Sequence, residues 1–147
     1  MSQLPKLNFP AIQLRARRQN GVVEVWDELR GMYLVLTPEE WVRRHLIAYL
    51  VGYCAAQPKR IVQEYPVSLN GQAQRADVVI VGDDARPLLL AECKAPEIPI
   101  DGKVYAQAVR YNSVLGARYV ILTNGRQHYC CEFRDGEYLR LKAFPKL

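Results

Sequence analysis

Several features that define common protein classes are missing from this 147-residue sequence. No stretch approaches the roughly 18 uninterrupted apolar residues that a membrane-spanning helix needs, so no membrane partner is expected. The N-terminus has no positively charged start followed by an apolar core, so no secretory signal is expected and a cytoplasmic location follows by default. There is no G-x-x-x-x-G-K-[ST] loop and no G-x-G-x-x-G among the nine glycines. The sequence therefore carries no nucleotide-driven motor of its own.

Metal-binding cysteine patterns and histidine-based catalytic motifs are missing as well. The four cysteines are Cys54, Cys93, Cys130 and Cys131. None forms a C-x-x-C pair, so a zinc site is not expected and buried, reduced thiols are. The two histidines, His45 and His128, stand in no recognisable motif, so a Ser-His-Asp or Cys-His nucleophile has no support. No helix-turn-helix or zinc-finger signal supplies a DNA-recognition element.

What is present describes one ordinary globular domain with a mildly basic surface. Half of the residues are hydrophobic and 24% are charged, and this length can bury a core without disulfides or a structural metal. Twenty Lys and Arg residues exceed fifteen Asp and Glu residues, which gives a net charge of +5. Such a surface suits an anionic partner such as nucleic acid, although the charge alone is weak support.

The hydrophobic pattern divides the chain into an arm and one domain. Residues 1–20 are predicted to be an N-terminal arm, and residues 21–147 a single domain that starts with a β-hairpin over 22–36. Thr37 is a good helix cap and Pro38 suits the first helical position, so a helix is expected to run from there to about residue 56. Further along, strands are predicted at 60–68, 74–82 and 87–94, a helix at about 102–115, and strands at 118–123, 127–133 and 137–142. The fold class is therefore α/β, with a central mixed sheet flanked by helices and the core order α-β-β-β-α-β.

One group of charged residues lies at the centre of this pattern. Asp77 stands in an apolar strand, and Glu92 and Lys94 end the next apolar strand after a tight turn. Because side chains alternate along a strand, Glu92 and Lys94 share a face while Cys93 points to the other. If the two strands are hairpin neighbours, Asp77 reaches the same face. A structural ion-pair cluster would also fit this short pattern, but its position in two central apolar strands favours a functional site.

Two carboxylates and an ammonium at one point indicate a divalent-metal site. Close carboxylates repel each other, and a hard cation relieves that repulsion. Mg²⁺ prefers oxygen ligands and typically takes one or two protein carboxylates. The predicted ligands of Mg²⁺ (or Mn²⁺) are Asp77, Glu92 and the backbone carbonyl of Cys93. Lys94 could then orient an attacking water or offset negative charge in the transition state of phosphodiester hydrolysis.

Residues 75–125 resemble the N-terminal nuclease domain of the restriction subunit of type I restriction enzymes. The family pattern has an Asp in one strand, E-x-K in the next and Q-x-x-x-Y on the following helix, which correspond to Asp77, Glu92-Cys93-Lys94 and Gln107 to Tyr111. The TPEEW segment at 37–41 resembles the family's first helix, which carries a Glu near the active site. Of its two glutamates, Glu40 is the better candidate, although its capping position and a pair with Arg44 would also explain it. Glu39 is expected only to face Arg43 at the surface.

The resemblance covers roughly residues 35–130 and implies a restriction-endonuclease-like PD-(D/E)XK core. It implies a metal-dependent DNA endonuclease in which Gln107 and Tyr111 orient the site or the strand. Without the resemblance, Tyr111 would be taken as core and Gln107 as surface. Two alternatives stay open: a catalytically weak or silent module of the same fold that binds DNA or protein, and a fragment that acts only with partner chains. The expected partners are DNA and either a second copy or other restriction-system subunits.

Overall fold

The structure, a computed structural model, describes residues 4–147. In that range the chain forms nine strands and two α-helices. The first elements are β1 (Ala16–Gln19), β2 (Val22–Asp27), β3 (Met32–Val35) and α1 (Pro38–Tyr53). After a 3₁₀ turn at Pro58–Arg60 come β4 (Ile61–Leu69), β5 (Gln72–Val81) and β6 (Pro87–Cys93). The last elements are α2 (Gly102–Leu115), β7 (Tyr119–Thr123), β8 (His128–Arg134) and β9 (Glu137–Arg140).

The strands form a small sheet and a large one. Strands β1, β2 and β3 make an antiparallel three-stranded sheet, and β4 to β9 make a six-stranded sheet in sequence order. All neighbours in the large sheet are antiparallel except β6 and β7, which are parallel. Helix α2 is the crossover that a parallel pair requires. Because β6 and β7 are parallel, both end at the same edge of the sheet, which is where Glu92 and Lys94 lie.

Capping residues start both helices where the sequence predicts them. The Thr37 hydroxyl accepts the backbone N–H of Glu40 at 3.0 Å, and Pro38 occupies the first turn of α1. The Asp101 carboxylate accepts the backbone N–H groups of Lys103 and Val104 at 3.0 and 3.1 Å. Each side chain satisfies helix N–H groups that have no partner inside the helix. These caps fix the start of each helix and hence the side chains of its first turn.

The large sheet buries apolar side chains on both faces. Val78, Ile80, Leu89 and Ala91 belong to the core cluster that includes the buried face of α1. Val79 and Leu90 pack in a second cluster with Tyr111 of α2. Side chains alternate along each strand, so one set of alternate residues packs toward α1 and the other set packs toward α2. Cys93 belongs to the α1 cluster. Glu92 lies on the opposite face with Leu90, which agrees with the prediction that Cys93 and Glu92 point to different faces.

The N-terminal residues differ from the expected arm. Of residues 1–20, the first three lie outside the described residues, and Ala16–Gln19 forms β1, which pairs with β2 of the predicted hairpin. Leu7 and Phe9 are 4% and 8% exposed and belong to the α1 core cluster. The backbone N–H of Asn8 donates to the carbonyl of Gly125 at 2.7 Å. This segment packs against the domain because it buries two large apolar side chains, which isolated residues in a Pro-rich stretch do not reveal by periodicity.

Two expectations about residue classes can be compared with the structure. All four cysteines are buried free thiols, in line with the expectation of reduced cysteines. Burial raises the pKa of the Cys130 thiol to about 12, and a thiol that stays protonated is a poor nucleophile and a poor metal ligand. Among the helices of residues 4–147, none has the length and the apolar character required to cross a membrane.

Candidate active site

The carboxylates of Asp77 and Glu92 meet between β5 and β6. The Asp77 carboxylate accepts the backbone N–H of Cys93 at 2.7 Å, and the Glu92 carboxylate accepts the backbone N–H of Asp77 at 2.8 Å. Val78 pairs with Ala91, so Asp77 and Glu92 stand opposite each other one position further along the two strands. The site thus brings together the two acidic residues that the sequence predicts to share a face.

Burial of these two carboxylates disfavours their charged forms. Burial, followed by the negative charge of Asp77, raises the pKa of Glu92 to about 8. Burial also raises the pKa of Asp77, against the opposing effects of the Cys93 N–H and the Arg43 charge. Among residues 4–147, neither carboxylate forms a salt bridge. Two adjacent buried carboxyl groups without a paired cation are costly to ionise.

Lys94 supplies positive charge next to this pair. Its backbone N–H donates to the carbonyl of Thr123 at 2.9 Å, so the end of the β6–β7 pairing fixes its backbone. Its side chain is half-buried. Although burial dominates the pKa of both acids, the Lys94 ammonium acts to lower the pKa of Asp77 and of Glu92. Lys94 is therefore close enough to the carboxylates to act on the same bound group.

The side chains at this point fit a hard divalent cation with few protein ligands. No group of three or more His, Cys, Asp or Glu side chains in residues 4–147 is arranged to hold a metal ion. Asp77 and Glu92 each accept a backbone N–H with one carboxylate oxygen, which leaves each carboxylate a second oxygen. Mg²⁺ commonly takes one or two protein carboxylates and completes its shell with waters and substrate phosphate oxygens. The donor set therefore suits Mg²⁺ or Mn²⁺ and does not suit zinc, which takes more nitrogen and sulfur ligands.

Gln107 and Tyr111 lie on one face of α2, and Tyr111 is close to the two carboxylates. The Gln107 amide donates to the Tyr111 hydroxyl at 3.2 Å, and that hydroxyl donates to the side chain of Gln74 at 3.4 Å. Tyr111 is 4% exposed. Burial and then the negative charges of Glu92 and Asp77 raise the pKa of its hydroxyl. The Q-x-x-x-Y pair is therefore next to the acidic pair, and Gln74 of β5 extends it.

The two glutamates at the start of α1 have different surroundings. Glu40 is buried, and both of its oxygens are occupied by arginines: Arg43 at 2.7 and 3.1 Å and Arg44 at 2.8 Å. These contacts match the structural explanation of Glu40 that the sequence also allows, and its role near the active site stays a prediction. Partial burial and then the negative charge of Asp77 raise the pKa of Glu39, while Lys94 acts to lower it. Glu39 is exposed, as expected, and it lies close enough to Asp77 and Lys94 for their charges to act on its pKa.

Two further residues of the site are missing from the sequence prediction. Arg43 contacts the carboxylate of Glu64 and the backbone carbonyl of Asp77. Neither side chain is part of a motif identified in the sequence, and Arg43 is 21 residues from Glu64 and 34 from Asp77 in sequence. A charged residue inside an otherwise apolar helix face is the only signal that could have pointed to Arg43.

The chain matches the model of one protein family over most of its length. That family is described as the N terminus of type I restriction enzyme R proteins, and its model matches residues 38–145. The match begins at the first residue of α1 and ends after β9, so the three-stranded sheet precedes it. No curated protein matches the chain by sequence.

A solved structure shares the fold. It is described as a fragment of an HsdR subunit of a type I restriction enzyme from Vibrio vulnificus YJ016. The TM-score is 0.58 at 23% sequence identity, and the match covers 76% of this chain and 24% of that chain. This chain thus corresponds to about a quarter of that structure.

Proposed function

Because this chain belongs to the family of type I restriction enzyme R protein N-terminal regions, we propose that it is a metal-dependent nuclease that hydrolyses phosphodiester bonds in DNA. We assign its large sheet and two helices to the restriction-endonuclease-like, PD-(D/E)XK type of core. One observation carries the proposal. Asp77 and Glu92 are adjacent, Glu92 is buried and Asp77 half-buried, neither forms a salt bridge within residues 4–147, and Lys94 lies beside them.

The acidic residues of the site would hold the metal ion. Asp77, Glu92 and the backbone carbonyl of Cys93 are its proposed protein ligands, and Glu39 adds negative charge near them. When bound, Mg²⁺ or Mn²⁺ polarises the phosphodiester and lowers the pKa of a water molecule. Its positive charge would also offset the cost of ionising Glu92, whose pKa is raised to about 8 by burial and by Asp77.

The remaining residues act on the water and the phosphate. The Lys94 ammonium orients the attacking water and offsets the negative charge that develops on the phosphoryl oxygens. Tyr111 and Gln107 supply a hydroxyl and an amide beside the carboxylates, where they hold a phosphate oxygen or orient the Lys94 side chain. Their mutual hydrogen bond at 3.2 Å limits the freedom of both groups before any substrate arrives. Such preorganisation reduces the reorganisation needed during the reaction.

The substrate strand would lie in a polar groove next to these residues. The groove has a volume of about 340 Å³, and its walls include Gln72 and Gln74 of β5 and Gln107, Arg110 and Tyr111 of α2. Amide groups can donate to phosphate and sugar oxygens, and Arg110 adds a positive charge. The net charge of +5 favours the approach of a polyanion.

The proposed partners are DNA and further protein chains. One site cuts one strand at a time, so cleavage of both strands needs a second copy of this chain or the other subunits of a restriction system. The correspondence to about a quarter of the HsdR fragment is compatible with either arrangement.

A plasmid-cleavage assay tests the nuclease proposal. Purified protein with supercoiled plasmid and Mg²⁺ should produce nicked or linear DNA, and a chelator should stop the reaction. Lys94→Ala should slow cleavage by about 100-fold or more, the usual cost of removing a group that stabilises the transition state. Lys142→Ala is the matched control because that lysine is exposed and lies past β9, away from the site. Equal cleavage by wild type and Lys94→Ala would reject the assignment.

A catalytically silent module of the same fold is the second candidate. It is favoured by the absence of a three-residue ligand cluster within residues 4–147. Calorimetry with MgCl₂ separates the two candidates. A metal site should give binding heat in the wild type that disappears in Asp77→Asn, whereas a silent scaffold should give no heat that depends on Asp77.

A further inference from the structure

Regular strand pairing is interrupted on both sides of Asp77. On the β4 side, the pairing passes from Gln63 with Val78 to Tyr65 with Ala76, and the intervening Glu64 and Asp77 do not pair. On the β6 side, the pairing ends at Val78 with Ala91. Buried backbone N–H and C=O groups need hydrogen-bond partners. At Asp77, side chains provide them.

Arg43 supplies the partner on the carbonyl side. Its Nη1 donates to the backbone carbonyl of Asp77 at 3.3 Å, while the Glu92 carboxylate accepts the Asp77 N–H. The same Nη1 donates to the Glu64 carboxylate at 2.6 Å, and the other nitrogens of the guanidinium hold Glu40 at 2.7 and 3.1 Å. The Arg43 side chain is 9% exposed, so solvent competes little for these contacts.

Glu64 has a backbone conformation that its side chain does not favour. Its φ is +55°, the left-handed region, inside the strand β4 and opposite Asp77. A non-glycine residue adopts this conformation at a cost and persists in it only where the surroundings hold it. The Glu64 carboxylate forms its ion pair with Arg43 at this position, where Glu64 and Asp77 are left out of the β4–β5 pairing.

We propose that Arg43, acting through Glu64 and through the backbone carbonyl of Asp77, is a positioning residue that sets where the Asp77 carboxylate lies. The inference rests on the proposed metal site, since the purpose of this placement is to present Asp77 to a cation. One planar guanidinium contacts α1, β4 and β5 at once. Lysine cannot replace it, because a single ammonium does not reach three acceptors that lie in different directions.

Arg44 offers a matched control on the same helix. It is buried to the same extent as Arg43, and it also bonds Glu40, at 2.8 Å. Its other partners are Asp27 and Gln63, and it has no hydrogen bond to Asp77 or Glu64 among the described residues. Arg44→Lys therefore removes an equally buried guanidinium from the same network and leaves the contacts of Asp77 in place.

The first measurement is the affinity of the protein for Mn²⁺ without DNA. The signal of the free ion in electron paramagnetic resonance reports how much Mn²⁺ is bound. Arg43→Lys should weaken binding by about 10-fold or more, the usual effect of removing a residue that orients a metal ligand. Glu64→Asn should do the same, because asparagine tolerates positive φ but is too short and uncharged to hold Arg43. Only its half-exposed side chain changes, so this variant should fold even if Arg43→Lys does not. Arg44→Lys should stay within about twofold of the wild type.

The double variant Arg43→Lys with Glu64→Asn tests whether both residues act through one contact. If the two residues act through one contact, the double variant should lose little more Mn²⁺ affinity than the single variant with the larger loss. Losses that multiply would show independent effects and would overturn the proposed route through Glu64. Equal losses of Mn²⁺ affinity in Arg43→Lys and Arg44→Lys would show that general destabilisation causes the effect and would overturn the inference.

A second measurement needs no metal and separates this inference from the proposed function. The backbone N–H groups of Asp77 and Cys93 donate to the two site carboxylates, so their amide resonances in a ¹H–¹⁵N spectrum report the carboxylate positions. In the metal-free protein, Arg43→Lys should shift both resonances and Arg44→Lys should not. Absent Mn²⁺ binding in the wild type would reject the metal site, and the amide shifts would still decide the role of Arg43. Unchanged amide resonances in Arg43→Lys would overturn it.

Discussion

The side chains of Asp77 and Glu92 each accept a hydrogen bond from the backbone of the other residue's strand. The Asp77 carboxylate accepts the N–H that follows Glu92, and the Glu92 carboxylate accepts the N–H of Asp77, at 2.7 and 2.8 Å. The two acidic side chains therefore replace backbone pairing between β5 and β6 at this point. Because each carboxylate contacts the strand that carries the other, we expect the two residues to titrate as a pair.

This pairing predicts how the stability of the metal-free protein depends on pH. The pKa of Glu92 is raised by burial and by Asp77 from 4.5 to about 8, so the folded state binds a proton that the unfolded state has lost. The stabilisation is complete below 4.5 and is lost as the pH rises through about 8. Urea unfolding in a chelator should show a falling free energy of unfolding across this range. Glu92→Gln should remove that slope, and a wild-type slope of the opposite sign would contradict the raised pKa.

Metal binding should have the opposite pH dependence. A carboxylate must lose its proton before it binds a cation, so Mg²⁺ affinity should rise as the pH approaches the Glu92 pKa of about 8. Because a ligand that binds only the folded state stabilises it, the rise in melting temperature caused by Mg²⁺ should grow with pH. Asp77→Asn should show no such rise at any pH. A Mg²⁺-induced increase that persists in Asp77→Asn would locate the ion elsewhere.

The sequence predicts the elements around this site well because each one has a local signal. Apolar runs bounded by turn residues define β5 and β6, and strand alternation alone assigns Glu92 and Lys94 to one face. The choice between Glu39 and Glu40 needs the rotation of α1 against the sheet, because neighbouring helical residues point about 100° apart. Periodicity indicates which stripe of a helix is buried but not which strand it faces.

The contacts of Arg43 lie further beyond sequence reasoning. They depend on a left-handed residue in the middle of β4, and glutamate at position 64 carries none of the glycine or asparagine preference that signals positive φ. The buried N-terminal segment is a similar case. Leu7 and Phe9 are two apolar residues in a Pro-rich stretch, and only the assembled core provides the surface that covers them.

The two glutamates at the start of α1 should respond differently to substitution. Glu39→Gln removes a charge that faces Asp77 and Lys94 but contributes little packing, since Glu39 is exposed. It should weaken Mg²⁺ binding and cleavage with a stability change within about 0.5 kcal/mol. Glu40→Gln leaves two buried arginines without their shared carboxylate and should cost about 3–5 kcal/mol. Chemical unfolding and calorimetry of both variants test this, and a severe stability loss in Glu39→Gln would reverse the assignment.

Asp27 connects the three-stranded sheet to the rest of the domain. It is 0% exposed and contacts Arg30 at 2.6 Å, Arg44 at 3.0 Å and Gln63 at 2.9 Å. Burial acts to raise its pKa, but the hydrogen bond from Arg30 and the charge of Arg44 lower it below 3.8 overall. Its contribution to stability is therefore present above the unfolded pKa and is lost as the pH falls through the folded one.

Asp27→Asn should lower the free energy of unfolding by about 3–5 kcal/mol at neutral pH, because it leaves buried positive charge without a partner. Under acidic conditions the difference between variant and wild type should shrink, since the wild-type carboxyl also becomes neutral. Asp84→Asn is a suitable control, because that carboxylate is exposed and bonds only the N–H of Arg86 among the described residues. A gap between Asp27→Asn and the wild type that does not shrink in acid would mean that the charge of Asp27 is unimportant.

Gly125 tests whether the N-terminal segment belongs to the folded domain. It has a φ of +85°, and a Cβ atom built there would lie 2.7 Å from a methyl carbon of the buried Leu7. Gly136 has nearly the same φ, +79°, with nothing within 4 Å of its Cβ position. Both alanine variants incur the cost of a positive φ, but only Gly125→Ala must also displace Leu7. We expect Gly125→Ala to be less stable than Gly136→Ala by about 1–3 kcal/mol, the typical cost of overpacking. Leu7→Ala should remove that overpacking cost. The double variant Gly125→Ala with Leu7→Ala should therefore lower the free energy of unfolding by less than the sum of the two single effects. Additive losses would mean that Leu7 does not pack against this turn in solution.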